Sequence, residues 1–142
     1  MAVFSADGVQ TIPPGEDAVF TILVEPDPQR YIRHRLGTGG FLLSGASPCR
    51  CKNPSYDVKF GGNIAIATGG TVGQISMALT LDGSIVPASE MIVTPAAVEE
   101  YFNISRCMSI DVWAGCCETI TVRNNSDQTI LLQDPLISIS RN

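Results

Sequence analysis

The chain has 142 residues, of which 44% are hydrophobic and 16% charged, and its formal net charge at pH 7 is −5. A domain near this length buries roughly 70% of its unfolded surface, so a single domain with a substantial core is expected. The acidic balance argues against nucleic acid or an anionic membrane surface as a partner. No stretch resembles a signal peptide or approaches the ~18 apolar residues of a membrane span. We expect a soluble product that is made, at least initially, in the cytoplasm.

The first half of the chain predicts an N-terminal arm, residues 1–17, followed by short strands of a domain that spans residues 18–142. Residues 18–24, "AVFTILV", are rich in β-branched and aromatic residues between chain breakers, which is typical of a strand. Residues 30–45, "RYIRHRLGTGGFLLSG", predict two short strands joined by a bend. In residues 56–66 the apolar side chains alternate, and Gly61-Gly62 marks a bulge or a close approach of the backbone.

The second half continues the two-residue period of β-strands. Residues 75–81 alternate strictly, and Asp82-Gly83 then predicts a hairpin whose return strand is bent at Pro87. "TPAAVEEYF" is the only helix-like piece, and it is too short to be stable alone, so one turn or a loop is expected. Three further strands follow, in "NISRCMSIDVW", "ETITVRN" and "TILLQDPLISIS". The prediction is an all-β, antiparallel fold of about eight to ten strands, with a jelly-roll sandwich favoured over a barrel.

The last ninety residues or so resemble the heads of the tumour-necrosis-factor and complement-globular superfamily, including those of bacterial spore-coat glycoproteins. The resemblance is carried by "YDVKFGGNIAIATGGTVGQISMALTLDGSIVPASEMIV", by "CCETITVRNNSD" and by the closing "LISISRN". It implies a homotrimer whose function is display and binding. This chain has no Gly-X-Y collagen stalk, so attachment has to use the head or the N-terminal arm. Similar small proteins occur in phages and prophages of Gram-positive bacteria.

Four of the five cysteines form two close pairs, Cys49 with Cys51 and Cys116 with Cys117. Zinc ligands usually come two to four residues apart, and redox pairs usually have the form Cys-x-x-Cys at the start of a helix, so neither role is favoured. A disulfide between the two pairs would contribute about 4 kcal/mol in the chain-entropy model, and it needs an oxidising environment. The alternative is that all thiols are reduced, with Cys107 packed as a small hydrophobe beside Met108. Whether they form a disulfide or stay reduced, the cysteines have a structural role.

"RYIRHR" concentrates basic residues in an otherwise acidic chain and contains the only histidine. On a strand, Tyr31, Arg33 and Arg35 share one face, while Arg30 and His34 share the other with the intervening isoleucine. We interpret these five residues as a candidate basic ridge that docks on an acidic partner. The alternative is a solvated edge strand whose charges discourage aggregation.

No set of residues predicts catalysis or a cofactor. The adjacent Glu99 and Glu100 do not converge as a glycosidase carboxylate pair must. The chain has no Gly-x-Ser-x-Gly elbow, no phosphate-binding glycine loop before a helix, and no histidine cluster for a metal. We therefore expect no enzyme activity, no cofactor and no bound metal.

The resemblance, together with the absence of a catalytic set, implies a non-enzymatic virion protein, either a capsid decoration or a head-fibre protein of a bacteriophage or prophage. It would bind the capsid exterior as a trimer, with the major capsid protein or another virion protein as its partner. The alternative is a module that binds glycans or a host surface, on a phage fibre or a spore coat, using Trp113 or Tyr101 to stack on a sugar ring.

Overall fold

A computed structural model describes residues 1–46 and 52–142. Within these residues the chain forms twelve strands and one turn of 3-10 helix, Pro87–Ser89. In chain order the strands are β1 (Ala2–Ser5), β2 (Val9–Ile12), β3 (Ile22–Glu25), β4 (Ile32–His34), β5 (Phe41–Ser44), β6 (Ser55–Ile66), β7 (Ile75–Leu81), β8 (Ser84–Ile85), β9 (Met91–Val93), β10 (Phe102–Asp111), β11 (Cys117–Asn124) and β12 (Ile130–Arg141).

The strands form two antiparallel sheets that pack face to face as a jelly roll, which confirms the predicted fold class. Sheet A has the order β10-β6-β12-β1-β3, with β2 also paired to β12. Sheet B has the order β4-β5-β11-β7-β8, with β9 also paired to β7. Each sheet turns one face inward, so every second residue of the long strands β6 and β12 is buried in the core.

Two of the predicted local features are present. The β7–β8 hairpin turns at Asp82 and Gly83, whose φ angles of 50° and 85° are the left-handed values that this two-residue turn requires. At Gly62, an added Cβ would lie 2.9 Å from a methyl group of Leu132, so the residue permits the expected close approach. The bulge itself lies on the partner strand β12, between Gln133 and Leu136.

An aromatic cluster closes the core between β1, β4 and β5. Phe41 stacks on the His34 ring with centroids 4.2 Å apart, and it meets the Phe4 and Phe20 rings edge to face at 5.1 and 5.2 Å. Edge-to-face pairs place a positive ring edge on a negative ring face, which adds to the free energy of area burial. The cluster joins the N-terminal strand to sheet B.

The segment that the sequence analysis set apart as an arm lies within the two sheets. β1 pairs with the end of β12, and β2 pairs with its beginning. The chain then crosses to sheet B, where the Ala18 N–H donates to the Val122 carbonyl at 2.7 Å and the Asn124 N–H donates to the Glu16 carbonyl at 2.9 Å. The boundary at residue 17 stays a prediction, but residues 2–12 are strands of the sheet and not a free attachment arm.

Residues 94–101 connect β9 to β10 by turns and irregular structure, as expected from the short helix-like sequence. The described residues contain no helix with the length and apolarity of a membrane-crossing segment.

Candidate interaction surfaces

The outward face of sheet A is open and consists mainly of small, uncharged side chains. We call it the sheet A face. Alternation places every second residue of β10, β6, β12, β1 and β2 on it, and the strand register sets these residues in rows. The three central rows are Cys107, Lys59, Ser138 and Val3; Ser105, Gly61, Leu136 and Ser5; and Asn103, Asn63, Gln133 and Val9. Most of these side chains are short, so few of them project far from the sheet.

Leu136 lies near the middle of the sheet A face and is 47% exposed. Its cross-strand neighbours are Gly61 on one side and Ser5 on the other, and neither can cover a leucine side chain. The Asp57 carboxylate, toward one end of the face, accepts a 2.6 Å hydrogen bond from the Ser109 hydroxyl. That bond is the largest cause of a pKa of Asp57 below its ordinary value.

The outward face of sheet B differs because its polar side chains are already paired. The Asp17 carboxylate accepts hydrogen bonds from the Thr121 hydroxyl at 3.1 Å and from Arg123 Nε at 3.0 Å. Ser76 and Thr80, which point the same way from β7, are buried. Of the two sheets, sheet A therefore has the face that is more available to a partner.

The predicted basic ridge divides into two groups. Tyr31 is half-buried, with the Arg141 guanidinium 3.8 Å above its ring centroid. His34 is half-buried in the aromatic cluster, and its ring nitrogens lie 2.7 and 3.1 Å from the backbone carbonyl oxygens of Gly40 and Phe20. These two residues connect parts of the fold and do not form an exposed ridge.

Arg30, Arg33 and Arg35 are exposed. Arg30 and Arg33 border a groove of about 510 Å³ between β3 and β4, the edge strands of the two sheets. We call it the β3–β4 groove. Among the described residues, the ion pair that forms is Asp17–Arg123, so no described carboxylate lies within ion-pair distance of the three arginines. Their role in partner binding stays a prediction. The surface concerned is the border of a groove and not a ridge.

The cysteine pairs can be placed only in part. Cys116 and Cys117 are exposed beside β5, where the Gly45 N–H donates to the Cys116 carbonyl at 2.7 Å. Cys49 and Cys51 lie outside the described residues, so the predicted disulfide stays a prediction. Cys107 is exposed on the sheet A face, and the expectation that it packs as a small hydrophobe is therefore wrong.

The two aromatic residues proposed for sugar stacking differ in exposure. Trp113 is 68% exposed, the largest exposed fraction among the described large hydrophobic residues. Tyr101 is half-buried. Of the two, the indole has the more accessible ring face. The described residues contain no group of three or more side chains that could hold a metal ion.

Glu118 is a half-buried carboxylate whose Oε2 atom is shielded from solvent and has no hydrogen-bond partner among the described groups. Desolvation raises the pKa of Glu118 above its usual 4.5, and the nearby Asp82 carboxylate adds a smaller shift in the same direction. The charged form is therefore less favourable in the folded chain than in the unfolded chain.

We expect Glu118→Gln to stabilise the protein at pH 7 by less than about 1 kcal/mol, since the site is partly screened by solvent. A raised folded-state pKa means that wild-type stability falls as pH rises from the unfolded value through the folded value. The melting temperatures of variant and wild type should therefore diverge between pH 4 and pH 7. Glu100→Gln, at an exposed position, is the control and should show no such divergence. A Glu118→Gln difference that does not change with pH would contradict this account.

The whole fold is shared with solved domains of two groups. The globular domain of zebrafish complement 1qA protein superposes with a TM-score of 0.59 at 10% identity, over 94% of this chain and 93% of that one. Eiger TNF from S. frugiperda superposes with a TM-score of 0.62 at 13% identity, over 97% of this chain and 88% of that one. Murine APRIL superposes with a TM-score of 0.57 at 12% identity, over 96% of this chain and 98% of that one. No protein-family model and no curated protein matches the chain.

These likenesses confirm the predicted resemblance at the level of fold: the chain is a jelly roll of the type found in TNF-family and complement globular domains. At such low identity they concern the fold alone. Sequence reasoning missed the sheet A face. The signal was present in "NISRCMSID", where small polar residues occupy every second position of one long strand.

Proposed function

We propose that this chain is a non-enzymatic structural protein that assembles into homotrimers through the sheet A face and decorates the exterior of a bacteriophage or prophage capsid. The observation that carries the proposal is the sheet A face itself, which is open and mainly uncharged, with the exposed Leu136 near its middle. A contact made there buries apolar surface and requires few charges to lose water, so its desolvation cost is small.

The size of the sheet A face suits a stable contact. The face is four strands wide, since β1 and β2 follow one another along β12. At about 4.8 Å between strands, and an average of about ten residues at about 3.4 Å per residue, its surface is roughly 19 by 34 Å. That is roughly 650 Å², close to the ~800 Å² that each partner contributes to a standard protein–protein interface.

Three copies are proposed because the superfamily heads that the sequence resembles are typically trimers. Closed rotational symmetry then lets every copy use the same surfaces, and no sheet A face is left exposed to recruit further copies. Exposed Cys107 and Lys59 are neighbours across the strands of this face, so trimer formation would enclose both side chains.

Attachment to the capsid is proposed through surfaces that the trimer leaves free, including Arg30, Arg33 and Arg35, with the major capsid protein or another virion protein as the partner. A protein that binds only the assembled shell stabilises that shell by mass action. The trimer would be made in the host cytoplasm and released with the virion.

The test is co-sedimentation of the purified chain with phage capsids that lack it. We expect saturable binding at a fixed ratio of trimers to capsid subunits, and a capsid that resists higher temperature once decorated. Absence of binding, together with glycan-array hits that are lost in Trp113→Ala, would contradict the proposal. That result would support the second candidate, a glycan-binding module, which the exposure of Trp113 favours.

A further inference from the structure

The β3–β4 groove exposes part of the core at one side of the sandwich. Leu23 of β3 pairs with Phe4, which points into the core, so the leucine side chain is also on the inward side of sheet A. It is nevertheless 45% exposed, because sheet B ends at β4 and does not extend over it. Phe4 and Ile32 are buried and form the apolar floor of the groove.

The border of the groove is positively charged, although the chain is acidic overall. Arg30 and Arg33 line it, and the one carboxylate among the lining side chains belongs to Asp27. The two Asp27 oxygens accept hydrogen bonds from the backbone N–H groups of Gln29, Tyr31 and Ile32, at 3.4, 2.7 and 3.1 Å. These bonds orient the carboxylate toward the backbone of its own loop.

The backbone conformation of Arg30 is one that disfavours any residue with a Cβ. Its φ angle is 59°, in the left-handed region that glycine adopts readily and that residues with a Cβ adopt at a cost. A large charged residue at such a position costs stability, and strained residues of this kind concentrate at binding sites.

β3 also has a free edge. It is the last strand of sheet A, so the backbone groups on its outer side pair with no other described strand. β3 has the sequence Ile-Leu-Val-Glu, with Leu23 and Val24 45% and 57% exposed. An exposed apolar edge is the usual acceptor for an added strand, whose backbone supplies affinity and whose alternate side chains supply specificity.

We infer that the β3–β4 groove binds an extended acidic segment of a partner protein, in which every second side chain enters the groove and these side chains are apolar and acidic in turn. The segment adds to the edge of β3, its apolar side chains cover Leu23 and Ile32, and its carboxylates pair with Arg30 and Arg33. This inference deepens the proposed attachment to a virion partner and rests on it for its biological meaning. The binding itself does not require the trimer.

The probe is the acetylated peptide Glu-Thr-Leu-Thr-Glu-Thr-Val-Thr-Glu, whose glutamate, leucine and valine side chains share one face of a strand. It is labelled with a fluorophore and titrated with the full chain at low ionic strength. We expect saturable binding in the micromolar range that weakens as salt is added. Replacing the glutamates of the peptide by glutamine, or its apolar residues by glycine, should weaken binding at least fivefold. Amide hydrogen exchange of residues 22–25 should slow in the complex, which charge pairing alone would not cause.

Two variants test the groove and a third is the control. Arg30→Gly and Arg33→Ser should each weaken binding at least fivefold, and Arg30→Gly should melt at or above the wild-type temperature because glycine relieves the left-handed strain. Lys52→Ser removes the same charge at an exposed position outside the groove lining and should bind as wild type. Equal affinity in all four proteins, no saturation at millimolar concentration, or equal binding of a short oligonucleotide would overturn the inference.

The proposed binding at the groove and the proposed trimer can be refuted separately. Leu136 does not line the groove, so a Leu136→Arg variant that has lost self-association should still bind the peptide. Loss of peptide binding with an intact trimer would refute the groove alone. A monomeric wild-type chain that binds the peptide would refute the proposed trimer alone.

Discussion

Leu136→Arg is expected to convert the native protein from three copies to one. Three chains of 15.1 kDa have a mass of about 45 kDa, and the variant should elute and scatter light as a particle of about 15 kDa. In a symmetric trimer each substitution would place a guanidinium in the self-association surface with no described acidic side chain beside it. An unpaired charge buried in an interface costs several kcal/mol, and symmetry repeats that cost three times.

The variant should remain folded, because the Leu136 side chain is 47% exposed and is not part of the hydrophobic core. Leu36→Arg is the matched control, since Leu36 is 49% exposed and lies outside the sheet A face. That control should keep the wild-type mass. A Leu136→Arg protein that retains the wild-type mass and unfolds normally would mean that the sheet A face is not the self-association surface.

Deletion of residues 1–15 is expected to unfold the domain. It removes β1 and β2, which together pair with one whole side of β12. It also removes Phe4 and Ile12 from the core, where truncation of a phenylalanine or an isoleucine to alanine typically costs 3–5 or 2–5 kcal/mol. The sum is comparable with the whole 5–15 kcal/mol stability of a typical domain.

Circular dichroism during heating should show a cooperative transition for the full chain and none for the deleted chain. The control is Asp7→Ser, which changes an exposed side chain between β1 and β2 and should alter stability by no more than about 0.5 kcal/mol. A deleted chain that unfolds cooperatively near the wild-type temperature would show that residues 1–15 are an arm after all. The same deletion is unsuitable as a test of capsid attachment, because it confuses lost binding with lost folding.

The long strands were predictable because their own residues carry the two-residue period. β6, β7, β10 and β12 alternate between core and outward side chains, and Asp82-Gly83 fixes the hairpin by its local backbone preference. The predicted strand at residues 18–24 is shorter, β3 at Ile22–Glu25. Ala18 and Phe20, which looked like parts of it, instead bond to Val122 and Thr38, partners that no local pattern reveals.

The N-terminal strands were missed because their stability comes from distant residues. β1 is four residues long and places Ala2 and Phe4 in the core, which is a weak period-two signal. On one side it pairs with Leu136–Ile139 at the other end of the chain, and on the other side with β3. Intrinsic strand preference cannot report such a pairing, since sheet formation depends strongly on cross-strand context.

The candidate sites were predictable as residues but not as surfaces. The pattern of "RYIRHR" identified the arginines that border the β3–β4 groove, but it also included Tyr31 and His34. Tyr31 is covered by Arg141, a residue 110 positions later, and His34 by Phe41 across the sheet. The sheet A face could not be distinguished from an ordinary solvated face, because alternating small polar side chains are typical both of solvated faces and of contact surfaces.

The native mass of the wild-type chain, measured by light scattering in the presence of a reducing agent, tests the central claim most directly. The account predicts about 45 kDa, three times the 15.1 kDa chain, because the contact uses the sheet A face and not the thiols. A mass of about 15 kDa under reducing conditions would contradict self-association through that face. If the mass without reductant were higher, the cysteines would be the links between copies.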